Sequence, residues 1–425
     1  MDHPSSQHPP AKILFALYLA MMAVGMGQTV VFAIVPMLGR EMHLDELVFR
    51  LPLLGIQFQP RELAITSLSA MAAVIFFFAA PFWGRLSDRL GRKPVILMGL
   101  LGYALGSTVF NLASYVGLSG LLGGAALYFL LVVSRAFHAL VMSGTHPGAS
   151  AYMADTTSPS ERTKGMGRLQ AANQLGVMIG PVLAWFVHFS FLAPLFVQAI
   201  LALCAAVLVW RFLPALPPPP QETGERRRRM SYFDPRYRLF ILIGFTVFSL
   251  VAMVQQTLGF YFQDTLGVDS VRAAQLFSVA MVVSSATMLM TQFLLVQRVR
   301  AKPITLLVSG MPFSFLAYLM LANATQLSHL MLAMSMIGLG MGLTGPAFTA
   351  SASLVVEPRE QGELAGMLGS IIGLGFVFGP LLGGALYSVS SHYPYWAAAL
   401  VMLVMSLLLT RHWRRQWFSG SGGAV

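Results

Sequence analysis

Residues 145–181 read THPGASAYMADTTSPSERTKGMGRLQAANQLGVMIGP, and residues 344–380 read TGPAFTASASLVVEPREQGELAGMLGSIIGLGFVFGP. Laid over one another without a gap, at an offset of 199 residues, they match at Thr145 and Thr344, Pro147 and Pro346, Pro159 and Pro358, and Glu161 and Glu360. The match continues through Gly167 and Gly366, Gly176 and Gly375, Gly180 and Gly379, and Pro181 and Pro380. Glycine and proline occupy positions that backbone geometry restricts. Their agreement at one offset over 37 residues marks a duplicated structural unit, and the chain is expected to hold two similar halves.

Outward from the repeat, the chain is dominated by apolar runs. Of 425 residues, 56% are hydrophobic and only 10% charged, against roughly 25% charged in an ordinary soluble domain. Crossing a ~30 Å hydrocarbon layer takes about 20 apolar residues, so twelve crossings would use about 240, close to the apolar content present. Runs of sufficient length occur near 13–38, 64–83, 95–114, 121–153, 169–188 and 191–213. A second six occur near 239–262, 272–296, 304–322, 327–353, 362–388 and 393–410. Continuous runs exclude a transmembrane β-barrel, whose strands alternate, and the low charge excludes disorder. The expected fold is an all-α membrane protein of twelve transmembrane helices in two pseudo-symmetric six-helix bundles.

The expected division is an amino-terminal bundle over residues 1–213, a linker over 214–238 and a carboxyl-terminal bundle over 239–425. The linker contains Pro217 to Pro220 and Arg226 to Arg229, too polar and proline-rich to span or to pack a core. Met1 to Pro10 lacks a charged n-region and a small-residue cleavage site, so the first apolar run is expected to stay as a span. The lone Cys204 has no intrachain partner and carries no redox information.

Cations set the orientation. With the amino terminus inside, 22 of the 27 Lys and Arg fall in cytoplasmic segments. Four (Arg40, Arg50, Arg61, Arg272) fall outside and one, Arg135, within a span. Short loops obey this bias, so both termini are expected in the cytoplasm. The same asymmetry accounts for the net charge of +11 without nucleic acid.

After the second span the chain reads Gly84-Arg85-Leu86-Ser87-Asp88-Arg89-Leu90-Gly91-Arg92-Lys93, read as a tight turn whose glycines relieve strain. This segment resembles the G-x-L-S-D-R-x-G-R-K loop of the major facilitator superfamily throughout its length. The resemblance implies a cytoplasmic gate built from Gly84, Asp88, Arg89, Gly91 and Arg92. In it Asp88 would face a helix amino terminus near Gly362 and Arg92 would pair with Asp155. The alternative is a positive-inside turn with no switching role.

Gly176-xxx-Gly180-Pro181 resembles the superfamily's G-x-x-x-G-P-x-x-G-G signature, associated with its drug:proton antiporter branch, with Ala184 and Trp185 in place of the last two glycines. The full form recurs as Gly375-xxx-Gly379-Pro380-Leu381-Leu382-Gly383-Gly384. Small residues four apart let helices approach closely in lipid, and a proline at the same place in both halves favours a hinge or interface role.

Ionisable groups inside a bilayer are costly and usually functional. Arg135, His138 and His146 fall on roughly one face of the fourth span. The resemblance implies an R-x-x-Q-G pattern there, tied to substrate or proton coupling. Here Arg135 is followed by His138 and Ala139 in place of Gln and Gly. His138 reads either as a proton carrier or as a hydrogen-bonded interface residue. Amides also lie in apolar spans: Gln28, Asn173, Gln174, Gln255, Gln256, Gln275 and Gln292. The resemblance implies that spans one, four, seven and ten line a cavity. It thereby favours Gln28, Arg135 and Gln256 there, with Gln255 beside them, and interhelical bonding is the other reading of each amide.

All 16 acids fall at helix ends or in loops, so nothing at mid-membrane offers a counter-ion to a cationic cargo. Together with Arg135 this tilts the expected cargo toward anionic or zwitterionic molecules. No paired catalytic groups, metal cluster or phosphate-cradling loop occurs, so neither an enzyme, a cofactor protein nor an ATP-driven pump is expected. The expected protein is a monomeric secondary transporter of a bacterial inner membrane, exchanging a small molecule for protons by alternating access. Drugs and carboxylate metabolites such as siderophores are the cargoes considered, and proton-coupled uptake is the alternative direction.

Overall fold

The computed structural model describes residues 10–51, 56–158, 161–216, 230–299, 301–357 and 360–420. Pro217 to Pro220, Arg226 to Arg229 and the matched prolines Pro159 and Pro358 lie outside the described residues. The first half contains α1 (Ala11–Glu41), α2 (Glu62–Leu90), α3 (Arg92–Leu118), α4 (Gly124–Met142), α5 (Thr145–Thr156), α6 (Arg162–Leu183) and α7 (Ala193–Phe212). The second contains α8 (Arg238–Leu266), α9 (Ser270–Met290), α10 (Pro303–Ala322), α11 (Leu327–Ser353), α12 (Gln361–Tyr387) and α13 (Tyr393–Gly420). Contacts divide the chain into one unit of Met1–Gly224 with Ser270–Ser278 and another of Glu225–Asp269 with Val279–Val425.

The helices depart from the apolar runs where polar chemistry intervenes. The fourth run is two helices, because Pro147 brings no N–H to the Ser143 carbonyl and the ladder breaks at Ser143 and Gly144. The fifth helix, α6, begins at Arg162 and not near 169, and a 3₁₀ turn over Ala184–His188 follows it. Its first turns carry Arg162, Lys164, Arg168, Gln170, Asn173 and Gln174, which apolar counting discards. For that reason eleven helical segments among the described residues are apolar enough to cross a membrane by length and composition, with α4 and α5 counted as one and α6 not among them. The loop after α1 contains β1 (Phe49–Leu51) antiparallel to β2 (Ile56–Phe58), in register Phe49 to Phe58 and Leu51 to Ile56.

The two units repeat one packing scheme. α1 packs on α6 and α8 on α12, α3 on α4 and α10 on α11, α3 on α7 and α10 on α13. Lipid tails are as apolar as leucine, so these seams depend on close backbone approach and internal hydrogen bonds. At the α1–α6 seam a β-carbon on Gly25 would overlap the Asn173 carbonyl, and one on Gly176 would overlap that of Met22. Thr29 Oγ1 donates to the Val177 carbonyl at 2.9 Å and Asn173 Nδ2 to that of Met21 at 3.2 Å. At the α8–α12 seam a β-carbon on Gly375 would lie 2.9 Å from the Ser249 nitrogen, and one on Gly379 would lie 2.7 Å from Ala252 Cβ. Large side chains such as Phe78, Phe189 and Trp210 face outward, where the bilayer solvates them.

Candidate functional site

The first unit encloses a polar cluster around α4. Arg135 is 8% exposed and His138 3%. Arg135 Nη1 lies 3.0 Å from His138 Nδ1. A guanidinium only donates, so Nδ1 accepts and the ring's single proton in its neutral form sits on Nε2. The guanidinium carbon also lies 5.3 Å from the Phe110 ring centroid on α3, within cation–π range. Among the described residues no carboxylate forms an ion pair with Arg135. An arginine at a helix centre costs about 2.5–3.5 kcal/mol on insertion scales, and neutral groups alone offset that cost here.

Tyr103 on α3 meets the His138 ring edge-on, with centroids 4.7 Å apart and planes at 89°. Gln198 on α7 donates from Nε2 to the Ala23 carbonyl of α1 at 2.6 Å, and its amide lies in hydrogen-bonding range of the Tyr103 hydroxyl. Asn111, also on α3, is fully buried with neither amide atom partnered. Tyr103, Phe110, Asn111 and Gln198 escaped the sequence reading because aromatic residues and single amides in an apolar run read as packing. Their spacing on α3, with Tyr103, Ser107 and Asn111 four apart, was the available signal.

The other expected cargo contacts are dispersed. Gln28 is half-buried on α1. His146 belongs to α5, across the helix break from Arg135, and bonds with Gln170 of α6. Gln255 and Gln256 stand on α8 in the second unit. Gln256 is 1% exposed with Nε2 unpartnered, and Gln255 has Oε1 unpartnered.

At the carboxyl end of α2, the helix continues through Gly84 to Leu90, so the expected tight turn reduces to the single residue Gly91. Its φ of +94° is a left-handed conformation that suits glycine. Gly84 sits within the helix with open space where a β-carbon would be, so strain relief does not explain it. Arg92 is buried and bridges three side chains: Asp155 at 2.7 Å, Asp88 at 2.5 Å and Ser87 at 3.3 Å. Arg89 is exposed.

The second unit has a different clamp, before α8. Arg236, just before α8, takes Asp234 at 2.9 Å and Glu360 at 3.0 Å, while Glu363 accepts the Met230 N–H at 2.6 Å. Hydrogen bonds from Arg236 hold the Asp234 carboxyl below the usual carboxylate range, and the two carboxylates raise the guanidinium in turn. Met230, Asp234 and Arg236 come from the linker, where the sequence offered no motif, and Glu360 and Glu363 from the start of α12.

The family model described as Major Facilitator Superfamily matches residues 17–369 and 294–416. The chain is 29% identical over 364 residues to Multidrug resistance protein 2 of Bacillus subtilis (strain 168), covering 82% of this chain and 86% of that protein. It is 28% identical over 327 residues to the class D tetracycline resistance protein of Salmonella ordonez, covering 76% and 79%. Its fold is similar to the crystal structure of the human organic anion transporter MFSD10 (TETRAN), with a TM-score of 0.65 at 18% identity over 95% of this chain and 100% of that one.

Proposed function

Since the chain belongs to the major facilitator superfamily and is a multi-pass membrane transporter and not an enzyme, we propose that it exports a small molecule bearing an anionic group, in exchange for protons, by alternating access. Arg135 is the cargo contact in this reading. The observation that carries it is the buried guanidinium held by a neutral histidine, a phenyl face and no ion-paired carboxylate. A cation kept at membrane depth without a counter-ion attracts one that arrives, and a planar guanidinium grips a carboxylate with two hydrogen bonds. Export is supported by relatives named for resistance to multiple drugs and to tetracycline, since a transporter protects a cell by removing the toxic molecule. Zwitterionic drugs and carboxylate metabolites such as siderophores both fit that chemistry. The protein works as a monomer in a bacterial inner membrane, with both termini cytoplasmic and the linker over 214–238 joining two bundles that move against each other.

The test is calorimetric binding of tetracycline and of citrate to the purified full chain. Arg135→Ala should lose detectable binding at normal expression, and Arg135→Lys should recover only part of it, because lysine keeps the charge and loses the planar fork. Parent-like binding by Arg135→Ala would make the arginine structural. In proteoliposomes, cargo efflux should collapse when the pH gradient is dissipated.

A further inference from the structure

We propose that Tyr103 and Gln198 are positioning residues for the Arg135–His138 pair. They fix the imidazole in the tautomer whose Nδ1 accepts from the guanidinium, and they anchor the pair to the backbone of α1. The consequence for cargo rests on the reading of Arg135 given above; the tautomer itself does not.

The pair works only while His138 presents a lone pair at Nδ1. A ring flip would present a carbon there, and a proton on Nδ1 would set a donor against a donor. The ring is wedged against both changes. Gly106 of α3 comes so close that a β-carbon on it would lie 2.7 Å from His138 Cα and 2.9 Å from Cδ2. The Cδ2 edge therefore abuts α3, and the Nδ1 edge is the one turned to Arg135 at 3.0 Å. Tyr103 stands perpendicular to the imidazole with centroids 4.7 Å apart, and His138 Nε2 is buried with no hydrogen-bond partner among the described residues, so the ring is held by Arg135 on one edge and by packing on the others. Around the ring, the charged and titratable groups are Arg135 on α4 and Tyr103 on α3. Gly106 packs on the ring, Phe110 faces the guanidinium and Gln198 the phenol hydroxyl, and none of the three carries charge.

Tyr103 is itself held at its far end. Its hydroxyl lies against Gly27 of α1, where any β-carbon would overlap the phenol oxygen. Gln198 sits beside that hydroxyl and ties itself to the Ala23 carbonyl at 2.6 Å. The turn of α1 from Ala23 to Gly27 thus supports the polar cluster. Gly25, within the same turn, meets the α6 backbone at Asn173 and Val177. One turn of α1 touches both the charged pair's support and the glycine seam, so a shift of α1 along α6 reaches His138 through Tyr103, and Arg135 only through His138.

Long-range proton–nitrogen NMR of the histidine rings in the full chain, labelled with nitrogen-15 and purified in detergent, tests this without any cargo. The protein has nine histidines, and the His138 signal is assigned by its loss in His138→Asn. The parent should show His138 only with its proton on Nε2. Tyr103→Phe and Gln198→Leu should each show both tautomers. Tyr103→Phe removes only the hydroxyl, and with it the anchor to Gln198 and α1 that fixes where the ring stands; as a one-atom change it guards against a Gln198→Leu protein that fails to fold. Ser107→Ala is the control: it removes a buried hydrogen bond between the same two helices, to the Leu195 carbonyl at 3.2 Å, and should keep the parent signal. An unchanged tautomer in Tyr103→Phe, or an equal change in Ser107→Ala, would overturn the positioning role. Failure of the tetracycline and citrate titrations with the tautomer result intact would remove the cargo reading alone.

Discussion

Arg92 answers to two carboxylates, and the two are not equivalent. Asp88 is 53% exposed and Asp155 33%, while Arg92 is 8% exposed. An exposed ion pair is worth about 0–1 kcal/mol, whereas removing the partner of a buried charge costs about 3–5 kcal/mol. Asp88→Asn should therefore leave the thermal midpoint within a few degrees of the parent, and Asp155→Ala should lower it more. Arg92→Ala strands only acids that water already reaches, so it should insert and express nearly normally. We propose that the trio is a cytoplasmic latch that forms and breaks each cycle, which predicts a tenfold or greater fall in transport rate for Asp88→Asn and Arg92→Ala, read in proteoliposomes at matched protein. Normal turnover in both would remove the latch. The Arg92–Asp155 pairing came from the loop motif, yet the reduction of the turn to Gly91 alone did not, because helix propensity through Arg85 to Leu90 is invisible to a motif.

The glycine seams are the element on which the repeat acts. Gly180 lies against the Met26 carbonyl and Thr29 hydroxyl of α1, and Gly379 against Ser249, Ala252 and Met253 of α8, so matched positions meet matched helices. Gly180→Leu and Gly379→Leu should each abolish transport, because a leucine would collide with backbone that has no rotamer to yield. Gly84→Ala and Gly167→Ala, at glycines with open space, should be silent. Flux and expression of the four variants measured together check the pairing, and a fully active Gly180→Leu would show that α1 and α6 part more readily than their packing implies. These seams were legible because spacing survives in sequence. The polar cluster was half legible: a lone arginine in an apolar run announces itself and its partner His138 lies one turn on, but Phe110, Tyr103 and Gln198 come from other helices, and nothing in linear order joins residues 135 and 138 to residues 103, 110 and 198. The linker clamp was not legible at all, since Arg236, Asp234 and Glu360 are ordinary charges until the chain folds.

At the scale of the molecule, the sequence repeat and the packing scheme coincide while the chemistry of the halves does not. The arginine and histidine of α4 correspond, at the 199-residue offset, to Met334 and Ile337 of α11, so the buried charge belongs to one half only. A duplicated scaffold with one charged half needs a fixed orientation in the membrane, and the distribution of Lys and Arg supplies it. Orientation is open to a direct test, because Cys204 is the chain's one cysteine. In a Cys204→Ala background, cysteines replacing Gln57, exposed in β2, and Arg89, exposed at the end of α2, report on opposite faces. Gln57→Cys should react with a membrane-impermeant maleimide in intact cells. Arg89→Cys should react only after permeabilisation. Labelling of both positions in intact cells would mean a mixed orientation, and the reverse pattern would put the Arg92 trio outside, where it could not serve as a cytoplasmic latch.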